Sequence, residues 1–190
     1  MSLLTARQIS DLNKRVCPGL SDVSMGTLLN DLDHYRNPSG GTDYYVDSNS
    51  GDDADDGLTW DTCMATLTAA MAASHANIAA SSTGWAARNR IFYKGDSNAE
   101  SLTTLAQKTD IIGVGSGGGH RTMPQIVGTH TIGAGAFVGC RFFNMGFVPT
   151  ANGDNIFTVP ATSRGLEFHG CWFESGNGAV IAGSAIVVTA

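Results

Sequence analysis

The residues best suited to chemistry are carboxylates crowded into one loop. Asp52, Asp53, Asp55 and Asp56 follow Tyr44-Tyr45-Val46-Asp47 in a Gly-containing stretch. Several oxygen ligands together are what Ca²⁺ prefers. The stretch lacks the alternating Asp or Asn positions and the later Glu of an EF-hand loop, and Asp and Gly are also typical of a solvated turn. We interpret the loop as a turn and leave open whether these four aspartates bind a cation.

A second group of polar residues lies in an alternating segment near the C-terminal end. In Leu166-Glu167-Phe168-His169, alternation predicts that Glu167 and His169 point outward together, and we expect Trp172 and Glu174 on the same exposed side. An aromatic ring beside carboxylates is suited to stacking on a sugar. However, seven residues of strand span roughly 23 Å, and a glycosidase needs two carboxyl groups about 5 to 10 Å apart. The pattern therefore favours a solvated surface over catalysis.

The remaining candidate residues and motifs do not indicate a functional site. Residues 113–119 are rich in glycine but lack the Lys-Ser/Thr of a phosphate-binding loop, so we interpret them as a corner. A catalytic triad of Asp154, Ser163 and His169 has no support from spacing. We assign no catalytic, cofactor-binding or metal-binding residue and expect no cofactor. Four of the five histidines are scattered, with no spacing suited to a shared metal: His75, His120, His130 and His169.

These residues must be positioned by strands, because residues 110–190 contain only short apolar runs bounded by Gly, Asn and Pro. Gly139-Cys140-Arg141-Phe142-Phe143-Asn144 resembles Gly170-Cys171-Trp172-Phe173-Glu174-Ser175, 31 positions later. Such a period predicts a solenoid of stacked coils, with a β-sandwich as the alternative. It places three residues directly beneath their counterparts in the next coil: Phe137 under Phe168, Cys140 under Cys171, and Phe142 under Phe173.

The composition and net charge limit the classes of partner that the protein could bind. The 190 residues carry a net charge of −6 without a cluster of Lys and Arg, which argues against a nucleic-acid partner. The cysteines, Cys17, Cys63, Cys140 and Cys171, lack zinc-ligand spacing and are interpreted as buried apolar side chains. Strand spacing would allow a disulfide between Cys140 and Cys171 in adjacent coils, although a reducing compartment disfavours one.

The chain ahead of residue 42 predicts a separate helical segment. Thr5-Ala6-Arg7-Gln8 fits a capping box, a second helix is expected from Ser24 to about Arg36, and Pro and Gly follow. Two such short helices need a surface to bury their apolar stripes. We therefore expect residues 1–41 to form an attachment segment. The N-terminus lacks the pattern of a signal peptide and no apolar run approaches 18 residues, so we expect a soluble protein without a membrane partner.

Residues 42–109 predict an entry and capping region for the coils of residues 110–190. A strand at Tyr44-Tyr45-Val46 precedes the acidic loop, and a helix is expected from Ala65 to about Ala80. An open solenoid end exposes backbone and apolar interior, so it needs a cover. The helix presents a face of small and apolar residues for this purpose: Leu67, Ala70, Met71, Ser74 and Ile78.

This region carries a family resemblance. The segments are Tyr44-Tyr45-Val46-Asp47, Gly51 to Trp60, Ala65 to Ala70, Arg90 to Gly95 and Ile111 to Ser116. Together they resemble the entry segment of pectate-lyase-like right-handed parallel β-helix proteins over about residues 43–190, although Asp61-Thr62-Cys63 stands where a Pro-Phe pair is common. The resemblance implies a mainly β, right-handed parallel β-helix. The family includes polysaccharide lyases, hydrolases and phage tailspike or fibre proteins, and homotrimers are usual.

The functional expectation follows from this resemblance and from the helical segment. We expect a bacteriophage virion structural protein, the proximal part of a tail spike, tail fibre or head fibre, made in the host cytoplasm and attached to tail, portal or capsid proteins through residues 1–41. The alternatives are a polysaccharide lyase or hydrolase and a carbohydrate-binding protein. Because Ala185 to Ala190 forms an apolar strand without a polar cap, we expect the natural chain to continue or another subunit to cover it. A host polysaccharide could be bound by such further coils.

Overall fold

The computed structural model describes residues 41–81, 87–96, 98–115, 123–133, 138–151, 153–174 and 186–189. The predicted helical attachment segment lies outside these residues, except for Gly41. Within the described ranges the chain is mainly β, with twelve short strands, one α-helix and one 3₁₀ helix. The prediction of a mainly β protein is confirmed.

The strands are two to six residues long and are separated by corners or loops. The α-helix, α1, is Leu67–Ala80, and the 3₁₀ helix is Trp60–Thr62. The strands are β1 Asp43–Asp47, β2 Asn89–Lys94, β3 Asn98–Ala99, β4 Thr109–Gly113, β5 Gln125–Val127, β6 His130–Thr131, β7 Cys140–Phe143, β8 Gly146–Val148, β9 Phe157–Pro160, β10 Glu167–His169, β11 Trp172–Phe173 and β12 Ile186–Thr189.

The strands form three sheets in which every named pair is parallel. The first sheet has the order β1-β2-β4-β7-β10, the second β11-β8-β5-β3 and the third β12-β9-β6. From β4 onward the chain visits the first, second and third sheet in turn, three times over. This pairing differs from the antiparallel pairing of a β-sandwich.

The core lies where the inward side chains of the three sheets meet. Phe142 of the first sheet, Phe147 of the second and Phe157 of the third are all 0% exposed. Their ring centroids are 5.1 to 6.0 Å apart. Because alternate residues of a strand face opposite sides, short strands such as β7 and β9 contribute only two buried side chains each. Burying large aromatic rings is the main stabilising term for such short strands.

The predicted register of the last coils is wrong. Phe142 pairs with Phe168, 26 positions later, and the two rings stack at 5.4 Å. Phe173 pairs instead with Phe147 in the second sheet. Arg141 pairs with Glu167, so the register places Leu166, and not Cys171, opposite Cys140. The predicted contact of Phe137 falls outside the described residues.

The 31-residue repeat gave the wrong register because it matched two glycines that lie at different corners of the fold. Gly139 immediately precedes β7 and has φ of 73°, whereas Gly170 immediately follows β10 and has φ of 61°. Glycine is favoured at both positions because positive φ is strained for other residues. The sequence repeat therefore aligned the start of one strand with the end of another. A spacing of 31 does occur between β4 and β7, where Ile111 pairs with Phe142.

The corrected register predicts which cysteine pair can be cross-linked. Phe143 and His169 are paired on the outward side of the first sheet. Their Cα atoms are expected about 5 Å apart, within the range of a disulfide. We expect Phe143→Cys combined with His169→Cys to form a disulfide under mild oxidation, identified by peptide mass spectrometry. The matched control combines Phe143→Cys with Glu174→Cys, the pair that a 31-residue register would place together. Cross-linking of the control pair alone would contradict the register.

Helix α1 has the buried face that the sequence predicted. It packs against β1 and β2, and its buried residues are the five of the predicted face: Leu67, Ala70, Met71, Ser74 and Ile78. Thr66 is the N-cap, and its Oγ1 accepts a hydrogen bond of 3.1 Å from Ala69 N. On the buried side, Asn89 Nδ2 donates to Ser74 Oγ at 3.0 Å. Thr at the N-cap explains why the helix begins at this point.

Candidate functional site

The outward side of the first sheet is the best candidate for a functional surface. Residues paired across its five strands form two columns that run along the stack. The charged column consists of Asp43, Arg90, Asp110, Arg141 and Glu167. The aromatic column, two positions further along each strand, consists of Tyr45, Phe92, Ile112, Phe143 and His169.

Opposite charges alternate along the charged column and neutralise one another. Arg90 binds both carboxylate oxygens of Asp43, at 2.8 and 2.6 Å. Arg141 binds both oxygens of Asp110 at 2.7 and 2.6 Å, and Arg88 adds a third contact to Asp110 at 2.7 Å. The hydrogen bond to Asp110 raises the pKa of Arg141. Bidentate pairs of this kind fix geometry, so the column helps to hold neighbouring strands in register.

The aromatic column forms a half-buried surface beside these charges. Tyr45 stacks on Phe92 at 5.5 Å, and Phe143 stacks on His169 at 4.7 Å. The guanidinium of Arg90 lies 5.5 Å from the centre of the Phe92 ring. Trp60 packs edge-on against Tyr45 at 4.9 Å and keeps 42% of its surface exposed. Aromatic rings bordered by charged groups are suited to binding an amphipathic ligand such as a sugar or a protein segment.

Glu167 and His169 point outward together, as predicted. His169 Nε2 and Glu167 Oε2 are 2.8 Å apart, and both side chains are about half exposed, at 50% and 49%. The residue paired with Glu167 is Arg141, whereas the 31-residue register placed Ala136 there. The structure therefore brings a His, a Glu and an Arg to one end of the two columns.

Trp172 and Glu174 do not share that face, so this part of the prediction is wrong. Trp172 begins β11, which belongs to the second sheet. Gly170, with φ of 61°, turns the chain from the first sheet into the second. The alternation of side chains within one strand does not continue through such a turn. Glu167 therefore lies in the first sheet, whereas Glu174 follows β11 of the second sheet.

The acidic loop uses its carboxylates as hydrogen-bond acceptors. Asp53 accepts from Ala65 N at 2.9 Å and from Thr66 N at 2.8 Å, just ahead of α1. Asp56 accepts from Leu58 N at 3.0 Å, and this bond lowers the pKa of Asp56. Asp52 accepts from Ala54 N at 3.0 Å. Each of these three carboxylates bonds to a different backbone segment, as in turns and helix caps.

Glu100 completes the start of α1 from a distant part of the chain. Its carboxylate accepts from Leu67 N at 3.1 Å and from Thr68 N at 2.6 Å. Negative charge at a helix N-terminus is stabilising. Across the described ranges, no three His, Cys, Asp or Glu side chains converge in an arrangement that could hold a metal ion. Sequence reasoning missed Glu100, because 32 residues separate it from Thr68.

The remaining predicted candidates lie apart from the outward columns. Asp154 accepts a hydrogen bond of 3.2 Å from Thr129 Oγ1, and His169 is bound to Glu167, so neither joins Ser163 in a triad. His75 is exposed on α1, His130 is buried in β6, and His120 and Cys17 lie outside the described residues.

The three described cysteines are free thiols: Cys63, Cys140 and Cys171. Cys63 and Cys140 are buried, as the sequence predicted, and Cys171 is partly buried. Burial raises the pKa of the Cys140 and Cys171 thiols, which makes both poor nucleophiles.

Comparison with models of protein families, with curated proteins and with solved structures finds no match to this chain. No helix among the described residues has the length and apolar character needed to cross a membrane.

Proposed function

We propose that the described residues belong to a right-handed parallel β-helix and that the protein is a structural component of a bacteriophage virion, the proximal part of a tail spike, tail fibre or head fibre. The observation that carries the proposal is the repeated passage of the chain through three parallel sheets. In a β-helix each coil stacks on the one before, so that added coils lengthen a rod. A rod is the shape that a spike or fibre requires.

The backbone between the strands also supports stacked coils. Lys108 N donates to Val138 O at 2.8 Å, and Gly139 N donates to Arg164 O at 2.9 Å. These bonds extend the ladder of the first sheet beyond the strand ends. Because hydrogen bonds run continuously from coil to coil, a pull along the stack is distributed over many bonds. This property suits a part that transmits force between a particle and a surface.

The pairing of polar groups on the outward face favours a structural role over catalysis in these residues. Arg90 and Arg141 each bind an aspartate through two bonds, so their guanidinium groups are already engaged. A catalytic arginine or carboxylate needs an open site beside the substrate. The ion pairs of the charged column instead connect neighbouring strands.

The attachment role is assigned to residues 1–41, as the sequence arrangement indicates. In this proposal that segment docks on a tail, portal or capsid protein, the body assembles as a homotrimer, and the protein resides in the virion after synthesis in the host cytoplasm.

Deletion of residues 1–41 tests the proposal. We expect the full chain to co-sediment with particles assembled without it, and the deleted chain to remain in the supernatant. Circular dichroism and thermal unfolding should show that the deleted chain keeps its folded body. A chain carrying a Gly-Ser segment of the same length in place of residues 1–41 is the matched control for size. Equal co-sedimentation of the full and deleted chains would contradict attachment through this segment.

A second candidate function, glycan binding or cleavage, is favoured by the aromatic column together with Glu167 and His169. Incubating the full chain with an acidic polysaccharide and measuring new reducing ends or unsaturated products tests for cleavage. If this candidate is correct, Glu167→Gln should reduce cleavage, whereas Asp55→Asn in the exposed acidic loop should not. Binding on a glycan array without cleavage, and its loss in Trp60→Ala, would instead indicate a carbohydrate-binding surface.

A further inference from the structure

His130 is a histidine in the middle of the aromatic core. It is 0% exposed, and its ring centroid lies 4.6 Å from that of Phe157 and 5.9 Å from that of Phe147. Its Nδ1 accepts a hydrogen bond of 3.1 Å from Leu102 N. An accepting Nδ1 carries no proton, so the neutral ring carries its proton on Nε2. Nε2 has no hydrogen-bond partner among the described residues.

The imidazole of His130 accepts a hydrogen bond where a backbone carbonyl would otherwise do so, in the series of bonds between residues 100–106 and residues 127–133. Residues 100–106 follow β3 and bury Leu102, Leu105 and Ala106 in the core. Their backbone is tied to residues 127–133 by Glu100 N to Val127 O at 3.0 Å and by Gly133 N to Thr103 O at 2.9 Å. The Leu102 N to His130 Nδ1 bond lies between these two. An apolar side chain could fill the same volume but could not accept this bond.

We propose that His130 is an acid-sensitive latch, which holds residues 100–106 against the third sheet when its ring is neutral and releases them when the ring is protonated. Protonation would turn Nδ1 into a donor facing the Leu102 N–H donor. It would also place a positive charge between two phenyl rings.

Within the part of the chain that the structure describes, no charged group is shown against the His130 ring. The groups shown against the ring are Phe147 from β8, Phe157 from β9 and the backbone of Leu102, and none of these titrates or carries a charge. Asp154 is bound to Thr129, the residue before His130, and not to the ring. An unpaired buried charge is strongly disfavoured, which is the physical basis of the latch.

The pH range follows from the two states of the ring. Burial lowers the pKa of His130 from 6.5 to about 4. In the released state, with an ordinary pKa, the ring is protonated below 6.5; in the latched state it is protonated only below about 4. The latch is therefore intact above pH 6.5 and weakens as the pH falls from 6.5 towards 4. At pH 5 the ratio of latched to released molecules should be about 20-fold lower than at pH 7.

Hydrogen exchange on the full chain tests this proposal. We expect protection of the Leu102 amide, corrected for the intrinsic pH dependence of exchange, to fall by more than about tenfold between pH 7.5 and pH 5. Protection of Ile111 in the first sheet should fall much less. His130→Asn keeps an acceptor but cannot titrate, so its Leu102 amide should lose no extra protection. His75→Asn, on the exposed side of α1, should behave as the parent chain does.

Equal pH dependence in the parent chain and in His130→Asn would overturn the proposal. If His130→Asn does not fold, an NMR titration of the histidine rings in the parent chain decides the question. We expect the His130 ring to titrate far below 6.5, with a pKa of about 4. Titration of His130 near 6.5 would overturn the latch.

Discussion

Phe142→Ala is expected to lower the free energy of unfolding by about 3 to 5 kcal/mol, the range typical of large-to-small changes at buried aromatic positions. Phe142 is fully buried, and its ring lies 5.3 Å from Phe147, 5.4 Å from Phe168 and 6.0 Å from Phe157. Removing the ring leaves a cavity where the three sheets meet. The surrounding strands are held by ladder bonds on both sides, so they can collapse into the space only partly.

The neighbouring residue provides a matched control for this substitution. Phe143 has the same side chain in the same strand but points to the outward face, where it is half-buried and stacks on His169. We expect Phe143→Ala to lower the free energy of unfolding by only about 1 kcal/mol. Urea unfolding followed by circular dichroism measures both variants. Equal losses would mean that the core does not lie on the inward side of the first sheet.

Gly113→Ala is expected to lower the free energy of unfolding by about 3 kcal/mol. A Cβ at Gly113 would lie 2.0 Å from the backbone oxygen of Asn144, closer than any two such atoms can approach. Because the obstacle is backbone and not a flexible side chain, β4 and the corner after β7 must separate. That movement would also weaken the 2.8 Å bond from Asn144 Nδ2 to Gly113 O.

Gly170→Ala separates this steric effect from backbone strain. Gly170 has φ of +61°, and a Cβ there would have no atom within 4 Å. The only expected penalty is the left-handed conformation, about 1 kcal/mol. Thermal unfolding of the two variants should therefore show a larger decrease in melting temperature for Gly113→Ala. A larger decrease for Gly170→Ala would contradict the close approach of β4 to Asn144.

Local patterns along the chain were sufficient to predict the elements that depend on neighbouring residues. The helical spacing of Leu67, Ala70 and Met71 predicted the buried face of α1, because that face follows from 3.6 residues per turn. Alternation in Leu166-Glu167-Phe168-His169 predicted the outward Glu167 and His169, because side chains in one strand must alternate. Short apolar runs between glycines predicted a mainly β protein for the same reason.

The register was decided only by the tertiary structure. From β2 onward, successive strands of the first sheet pair at spacings of 20, 31 and 26 positions, as in Arg90 with Asp110, Asp110 with Arg141, and Arg141 with Glu167. Because the corners differ in length, no single sequence period reveals these pairs. The sequence therefore shows the five residues of the charged column but not that they lie side by side on neighbouring strands.

In the acidic loop, too, the sequence predicted the local feature and the tertiary structure determined its partners. Its composition showed that carboxylates are crowded together, but not what they bind. The partners of Asp53 are 12 and 13 positions away, and Glu100 reaches the start of α1 from more than 30 positions away. A carboxylate's partner depends on which backbone N–H groups the folded chain brings within 3 Å of it, and the packing of α1 on the first strands sets that distance. Sequence spacing thus determined the local elements of this protein, and only packing decided which distant groups meet.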